Sequence, residues 1–166
     1  MRLFVAVWPP ADVIEQLAAI ERPAIDGVRW TTAEQWHVTL RFLGSIDDPA
    51  PVIDALEAAD LATTEAVIGP AAVALGRGVL CLPIAGLDDL AATVLASTAA
   101  MGQPPEHRRF RGHLTLARVR QGSARRLAGA PLAARFPVRS VQLVRSNLHP
   151  EGARYETVHE VSVEGA

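Results

Sequence analysis

The chain has 166 residues, 49% hydrophobic and 20% charged, with a formal net charge of −2 and one cysteine. These figures describe one globular domain, or two small lobes around a shared core. They exclude a disordered segment, a disulfide-stapled scaffold and a non-specific nucleic-acid coat. No apolar run approaches the ~18 residues that cross a bilayer, and the apolar stretch at 3–8 is too short for a signal peptide. A cytoplasmic protein without membrane association is expected, and a monomer. The charge is uneven: residues 1–76 carry four arginines and eleven acids, residues 77–166 twelve arginines and seven acids. Every basic residue is arginine, whose forked donors suit phosphate oxygens. Seven arginines fall between Arg108 and Arg126, on either side of a histidine.

In chain order, residues 3–8 alternate as a strand and break at Pro9-Pro10. Asp12 is placed to cap a helix carrying Val13, Ile14, Leu17 and Ile20 at helical spacing. The next strand is His37-Val38-Thr39-Leu40-Arg41-Phe42-Leu43, closed by Gly44. Residues 48–62 read as a helix with Val52, Ile53, Leu56 and Leu61 inward, and 66–75 as a weak strand. Residues 79–84 form an apolar strand holding Cys81, which reads as a small buried residue rather than a nucleophile. Asp88 opens a helix with Leu90, Val94 and Leu95, and His113-Leu114-Thr115-Leu116-Ala117-Arg118 is again a strand. Residues 137–148 and 154–163 read as strands joined by the turn His149-Pro150-Glu151-Gly152.

The second half repeats the first. Strand, break, helix opened by aspartate and His-x-Thr strand recur at an offset of 76 residues, with Asp88 on Asp12, His113 on His37 and Thr115 on Thr39. An α+β fold is expected, with two pseudo-symmetric lobes of antiparallel strands around a central cleft, in a single bilobal domain over 1–166.

Side chains alternate along a strand, so His37, Thr39 and Arg41 share one face while Val38, Leu40 and Phe42 share the other. His113 and Thr115 pair in the same way, and strict alternation puts Arg118 behind them. Two imidazoles flanking one group can work as acid and base near neutral pH. The threonine hydroxyls can donate to oxygens on which charge develops. Phosphodiester cleavage fits this set. Acyl transfer fits poorly, because the His-x-Thr motifs hold neither a thiol nor a carboxylate to orient a Ser-His pair. A zinc site joining His37 and His113 to His149 or His159 is the rival, but neither motif holds a carboxylate and threonine is a poor zinc ligand. No metal and no cofactor are expected.

These residues resemble the LigT-like branch of the two-histidine phosphoesterases, the bacterial RNA 2′,3′-cyclic phosphodiesterases also called 2′-5′ RNA ligases. The matching stretches are Leu3-Phe4-Val5-Ala6-Val7, Arg29-Trp30, His37-Val38-Thr39-Leu40 with Phe42-Leu43-Gly44, His113-Leu114-Thr115-Leu116-Ala117-Arg118, Arg145-Ser146-Asn147-Leu148 and Gly152-Ala153-Arg154-Tyr155-Glu156. The family often has proline before the second histidine, where this chain has Gly112, a change expected to loosen the start of that strand. The resemblance implies hydrolysis of RNA 3′ ends bearing 2′,3′-cyclic phosphate to 2′-phosphate, with 2′-5′ ligation as the reverse reaction. It makes His37 the proton donor to O3′ and His113 the acceptor from water, roles that near-identical motifs leave open by themselves. Thr39 and Thr115 complete the catalytic set. Arg41, Arg118 and Tyr155 are the candidate substrate contacts, Tyr155 by stacking on a base. Two alternatives share the motifs: a cyclic phosphodiesterase for another nucleotide such as ADP-ribose cyclic phosphate, and a non-catalytic RNA-end binding module.

Overall fold

Residues 1–163 are described by a computed structural model. In chain order the elements are β1 (Arg2–Val7), α1 (Ala11–Ala18), β2 (Val28–Trp30), β3 (Val38–Ser45), α2 (Ala50–Ala58), β4 (Thr64–Ile68), β5 (Val73–Leu75), β6 (Val79–Ala85), α3 (Asp88–Thr98), β7 (His113–Val119), β8 (Ala134–Val138), β9 (Ser140–Asn147) and β10 (Arg154–Ser162). The fold is α+β. Antiparallel strands run in the order β10-β9-β1-β3-β7-β6-β4-β8, with β2 also on β7 and β5 also on β6. The four strands ending at β3 and the four beginning at β7 meet through one pair, Val38 with Leu114.

That pair joins the central residues of the two His-x-Thr motifs. The repeat is visible in the ladders on either side of it. Thr39 lies opposite Ala6 and Arg41 opposite Val5, so Leu40 is left over. Thr115 lies opposite Cys81 and Ala117 opposite Leu80, so Leu116 is left over. Both halves therefore carry a β-bulge at the residue after the motif threonine. The paired first strands correspond at an offset of 75, not 76: Ala6 answers to Cys81 and Val7 to Leu82. The ungapped register read from the sequence is thus corrected by one residue in the first strand.

The helices cross over. α1, from the first half, packs toward β8 beside the second-half sheet, and α3, from the second half, packs on β3. One continuous core lies between strands and helices and includes Leu3, Val5, Val7, Leu17, Trp36, Val38, Leu82, Val94, Leu114 and Leu116. β1 is buried on both faces: Phe4 and Ala6 point away from this core and form a second cluster with Val144, Trp8 and Tyr155.

Several sequence boundaries shift. The N-cap of α1 is Pro10, without a side-chain cap, so Asp12 sits inside the first turn, where it still complements the helix dipole. Leu87 occupies the N-cap of α3, ahead of Asp88. Residues 66–75 are two strands separated by a turn at Gly69-Pro70, and the expected strand at 137–148 divides at Arg139 into β8 and β9. Leu95 of α3 is exposed rather than inward.

Candidate active site

The two histidines are held by the same device. The Nδ1 of His37 lies 2.8 Å from the carbonyl of Gln35, and that of His113 lies 2.8 Å from the carbonyl of Arg111. A carbonyl only accepts, so each ring donates Nδ1–H backward along its own chain, and in the neutral ring Nε2 keeps its lone pair. The His37 Nε2 is 3.1 Å from the Thr39 hydroxyl, which can donate to it. The pairing of Val38 with Leu114 sets both motifs side by side across the seam.

His37 sits against aromatic rings, with centroids 5.0 Å from Phe4, 5.1 Å from Trp8 and 5.0 Å, edge-on, from Tyr155. Burial among them drives its pKa down to about 4, and the charges of His113 and Arg118 push the same way, against the Gln35 carbonyl. At this pKa the His37 ring is uncharged near neutral pH. Burial raises the Tyr155 phenol, with the Arg118 charge partly opposing. Tyr155 thus both packs on Phe4 and borders the site.

The bulges decide where the arginines go. Past Leu40 the alternation inverts, and Arg41 turns into the protein interior, 5% exposed. Its guanidinium donates to the carbonyls of Phe42, Met101 and Gln103 at 3.1, 3.0 and 2.9 Å, and more weakly to Thr98. Arg41 therefore fastens the C-terminal end of α3 and the following loop to β3. The expectation that it faces the substrate beside His37 and Thr39 is corrected. The same inversion past Leu116 brings Arg118 out of the core onto the face of His113 and Thr115, where its charge is felt at His37 and Tyr155.

One feature escaped the sequence reading, and a second was read with the wrong consequence. The Thr31 hydroxyl lies 2.8 and 2.9 Å from the carbonyls of Thr115 and Leu116 and accepts from the Trp36 indole at 3.0 Å. With the Thr31 amide on Leu116 O at 2.9 Å, this ties the loop before His37 to the bulge after His113. Gly112 is the second. Its carbonyl accepts from Ile84 N at 2.9 Å, and a Cβ at this position would lie 2.4 Å from Ile84 O. Glycine here permits a close strand approach, which corrects the expected loosening.

The remaining candidates lie elsewhere. His159 pairs with Glu57 at 2.6 Å, and His149 accepts from the Glu151 amide within its turn. Among the described residues no three His, Cys, Asp or Glu side chains gather as a metal site. Cys81 is buried, which raises its thiol pKa. A cavity of about 580 Å³ between α1, Trp30, Leu80 and Leu116 opens behind the sheet and touches neither histidine.

Residues 7–69, which include the first motif, match the sequence profile of the family described as LigT like phosphoesterase. TT0787 of Thermus thermophilus has the same fold over 99% of both chains, with a TM-score of 0.81 and 26% identity, and so extends the likeness across the second motif. Residues 7–69 thus resemble the LigT-like phosphoesterases in sequence, and the whole chain shares the fold of TT0787. Escherichia coli LigT, crystallised with 3′-AMP, shares the fold of this chain at a TM-score of 0.78 and 23% identity, over 98% of this chain and 97% of that one. The PDE domain of MHV ns2 is a more distant structural match, with a TM-score of 0.53 and 16% identity over 95% of this chain and all of that one. No curated protein matches the sequence. Among the described residues, no helix is long and apolar enough to cross a membrane.

Proposed function

We propose that this protein is a phosphoesterase that opens 2′,3′-cyclic phosphates at RNA 3′ ends to 2′-phosphates, using His37 and His113 as an acid–base pair without a metal. The observation that carries the reading is the single rung Val38–Leu114, which brings two His-x-Thr segments to one seam with their rings hung in the same way. Water attacks phosphorus, the P–O3′ bond breaks, one imidazole takes the water proton and the other supplies a proton to O3′. Thr39 and Thr115, each two residues along from its histidine, donate to the non-bridging oxygens. Arg118 adds positive charge on the same face. That E. coli LigT has been crystallised with 3′-AMP, phosphate, NADP+ and ATP supports a nucleotide phosphate as the ligand class.

The family resemblance makes His37 the donor and His113 the acceptor, and the depressed pKa of His37 adds a condition. A donor must carry its proton, and the His37 ring by itself does not hold one near pH 7. An anionic phosphate beside the ring raises its pKa, so productive binding takes up a proton together with the substrate. The test is an oligonucleotide ending in 2′,3′-cyclic phosphate, incubated in excess EDTA, with the product isomer identified. A 2′-phosphate is expected. A 3′-phosphate, or activity that appears only on adding Zn²⁺, would overturn the proposal. A substrate with sulfur in place of O3′ assigns the roles, because a thiolate leaves without protonation. It should rescue His37→Ala and leave His113→Ala inactive, and the opposite result reverses the assignment.

A further inference from the structure

From the placement of two arginines opposite one another near the C-terminal end of β7, we infer that Arg29 forms, with Arg118, a subsite for the phosphodiester one nucleotide upstream of the reacting terminus. The protein then selects the end of an RNA chain over a mononucleotide. The inference rests on the cyclic-phosphate reading above.

In the β2–β7 ladder Arg29 lies directly opposite Arg118, flanked by the pairs Val28–Val119 and Trp30–Ala117. Residues opposite one another on antiparallel strands project to the same face. Val28 and Trp30 pack against the core, so Arg29 projects to the other side, and it is exposed. The bulge at Leu116 puts Arg118 on that same side, with His113 and Thr115. Like charges directly opposite destabilise a sheet. Among the described residues neither arginine has an acidic partner. An anion held between the two forks relieves this repulsion and uses their donors.

The position identifies the anion. Arg118 is three residues beyond Thr115, roughly 7–10 Å along the strand once the bulge is allowed for. That backbone step places the Arg29–Arg118 rung beyond the motif by a distance comparable to the step from one phosphate to the next along a nucleotide strand. The Arg29 guanidinium also reaches toward Gly152, with Nη1 3.8 Å from where a Cβ there would stand. The backbone just past that turn is anchored by Gln35 Nε2 on Ala153 O at 2.8 Å, and leads directly into Tyr155. Arg29 therefore spans from β7 to the hairpin that carries the aromatic wall. A chain leaving the terminal ribose along this side meets a fixed pair of cations.

The experiment compares Arg29→Gln with wild type on a nucleoside 2′,3′-cyclic monophosphate and on a dinucleotide with the same cyclic end, after checking that the melting temperature is unchanged. Wild type should favour the dinucleotide in kcat/KM. Arg29→Gln should lose about tenfold on the dinucleotide, through KM, and change little on the mononucleotide. The salt dependence of the dinucleotide KM should be steeper than that of the mononucleotide by about 0.7 in log–log slope, and the substitution should remove the difference. Equal losses on both substrates, or no loss on the dinucleotide, would overturn the subsite. Calorimetric binding of the two corresponding 2′-phosphates makes the same comparison without turnover. A wild-type protein that hydrolyses neither substrate ends the cyclic-phosphate reading, while the binding ratio alone decides the role of Arg29.

Discussion

A histidine held neutral by its surroundings should make the protein unusually sensitive to mild acid. Keeping His37 at about 4 rather than 6.5 disfavours its charged form by about 3 kcal/mol. At pH 7 the ring is neutral both in the folded protein and in the unfolded chain, so it contributes no pH dependence there. Below 6.5 the unfolded chain binds a proton that the folded site refuses, and stability falls with pH until the folded ring titrates at about 4. By pH 4.5 this residue alone should have removed about 2.5 kcal/mol. Carboxylates titrate over the same range, so the measurement is a difference: urea unfolding of wild type and of His37→Gln at pH 7 and 4.5. The variant should lose about 2.5 kcal/mol less than wild type on acidification, equivalent to a melting shift of roughly 5–10 °C. Equal acid losses in the two proteins, or an NMR titration of the His37 ring near 6 or above, would refute the claim that the Phe4–Trp8–Tyr155 enclosure holds it neutral.

His37→Ala and His113→Ala should each lower kcat by at least ~10², and the double variant by far less than the product, because the rings act as a unit; a folded single variant with wild-type turnover would refute the pair. Arg41→Gln should destabilise by about 2–3 kcal/mol in urea unfolding, by leaving the carbonyls of Met101 and Gln103 short of donors, while kcat of the folded protein stays within a few-fold. A large loss of kcat without loss of stability would return Arg41 to the substrate face. Gly112→Ala should lower stability by about 1–3 kcal/mol and reduce turnover by displacing the start of β7 from Ile84, and an unchanged melting temperature and kcat would contradict the close approach.

The residues proposed to carry the chemistry were legible because each motif is local. His-x-Thr within an alternating strand states its own faces, and a second copy identifies the pair. The arginines were not legible, since the bulges at Leu40 and Leu116 depend on which residues of β1 and β6 lie opposite. Leucine at both positions fits the apolar alternation whether or not a bulge forms. That single unseen insertion sends Arg41 inward and Arg118 outward. Thr31 was hidden for a related reason: its partners are backbone carbonyls of Thr115 and Leu116, far along the chain, and carbonyls leave no trace in residue identity. β2 is three residues long, too short for any period to register.

The shared bulge and seam carry a consequence for symmetry. Two identical subunits meeting on a two-fold axis would surround both histidines alike, and neither could hold a resting charge different from its twin. Joining the halves in one chain lifts that constraint. By the ladder correspondence, Phe4 answers to Val79 and Trp8 to Pro83, so among the described residues these two rings beside His37 have no aromatic equivalent in the second half. Covalent linkage also makes the meeting of the halves intramolecular, independent of protein concentration. The duplicated backbone supplies the matched geometry of the two rings, and substitutions in one copy alone supply their inequality.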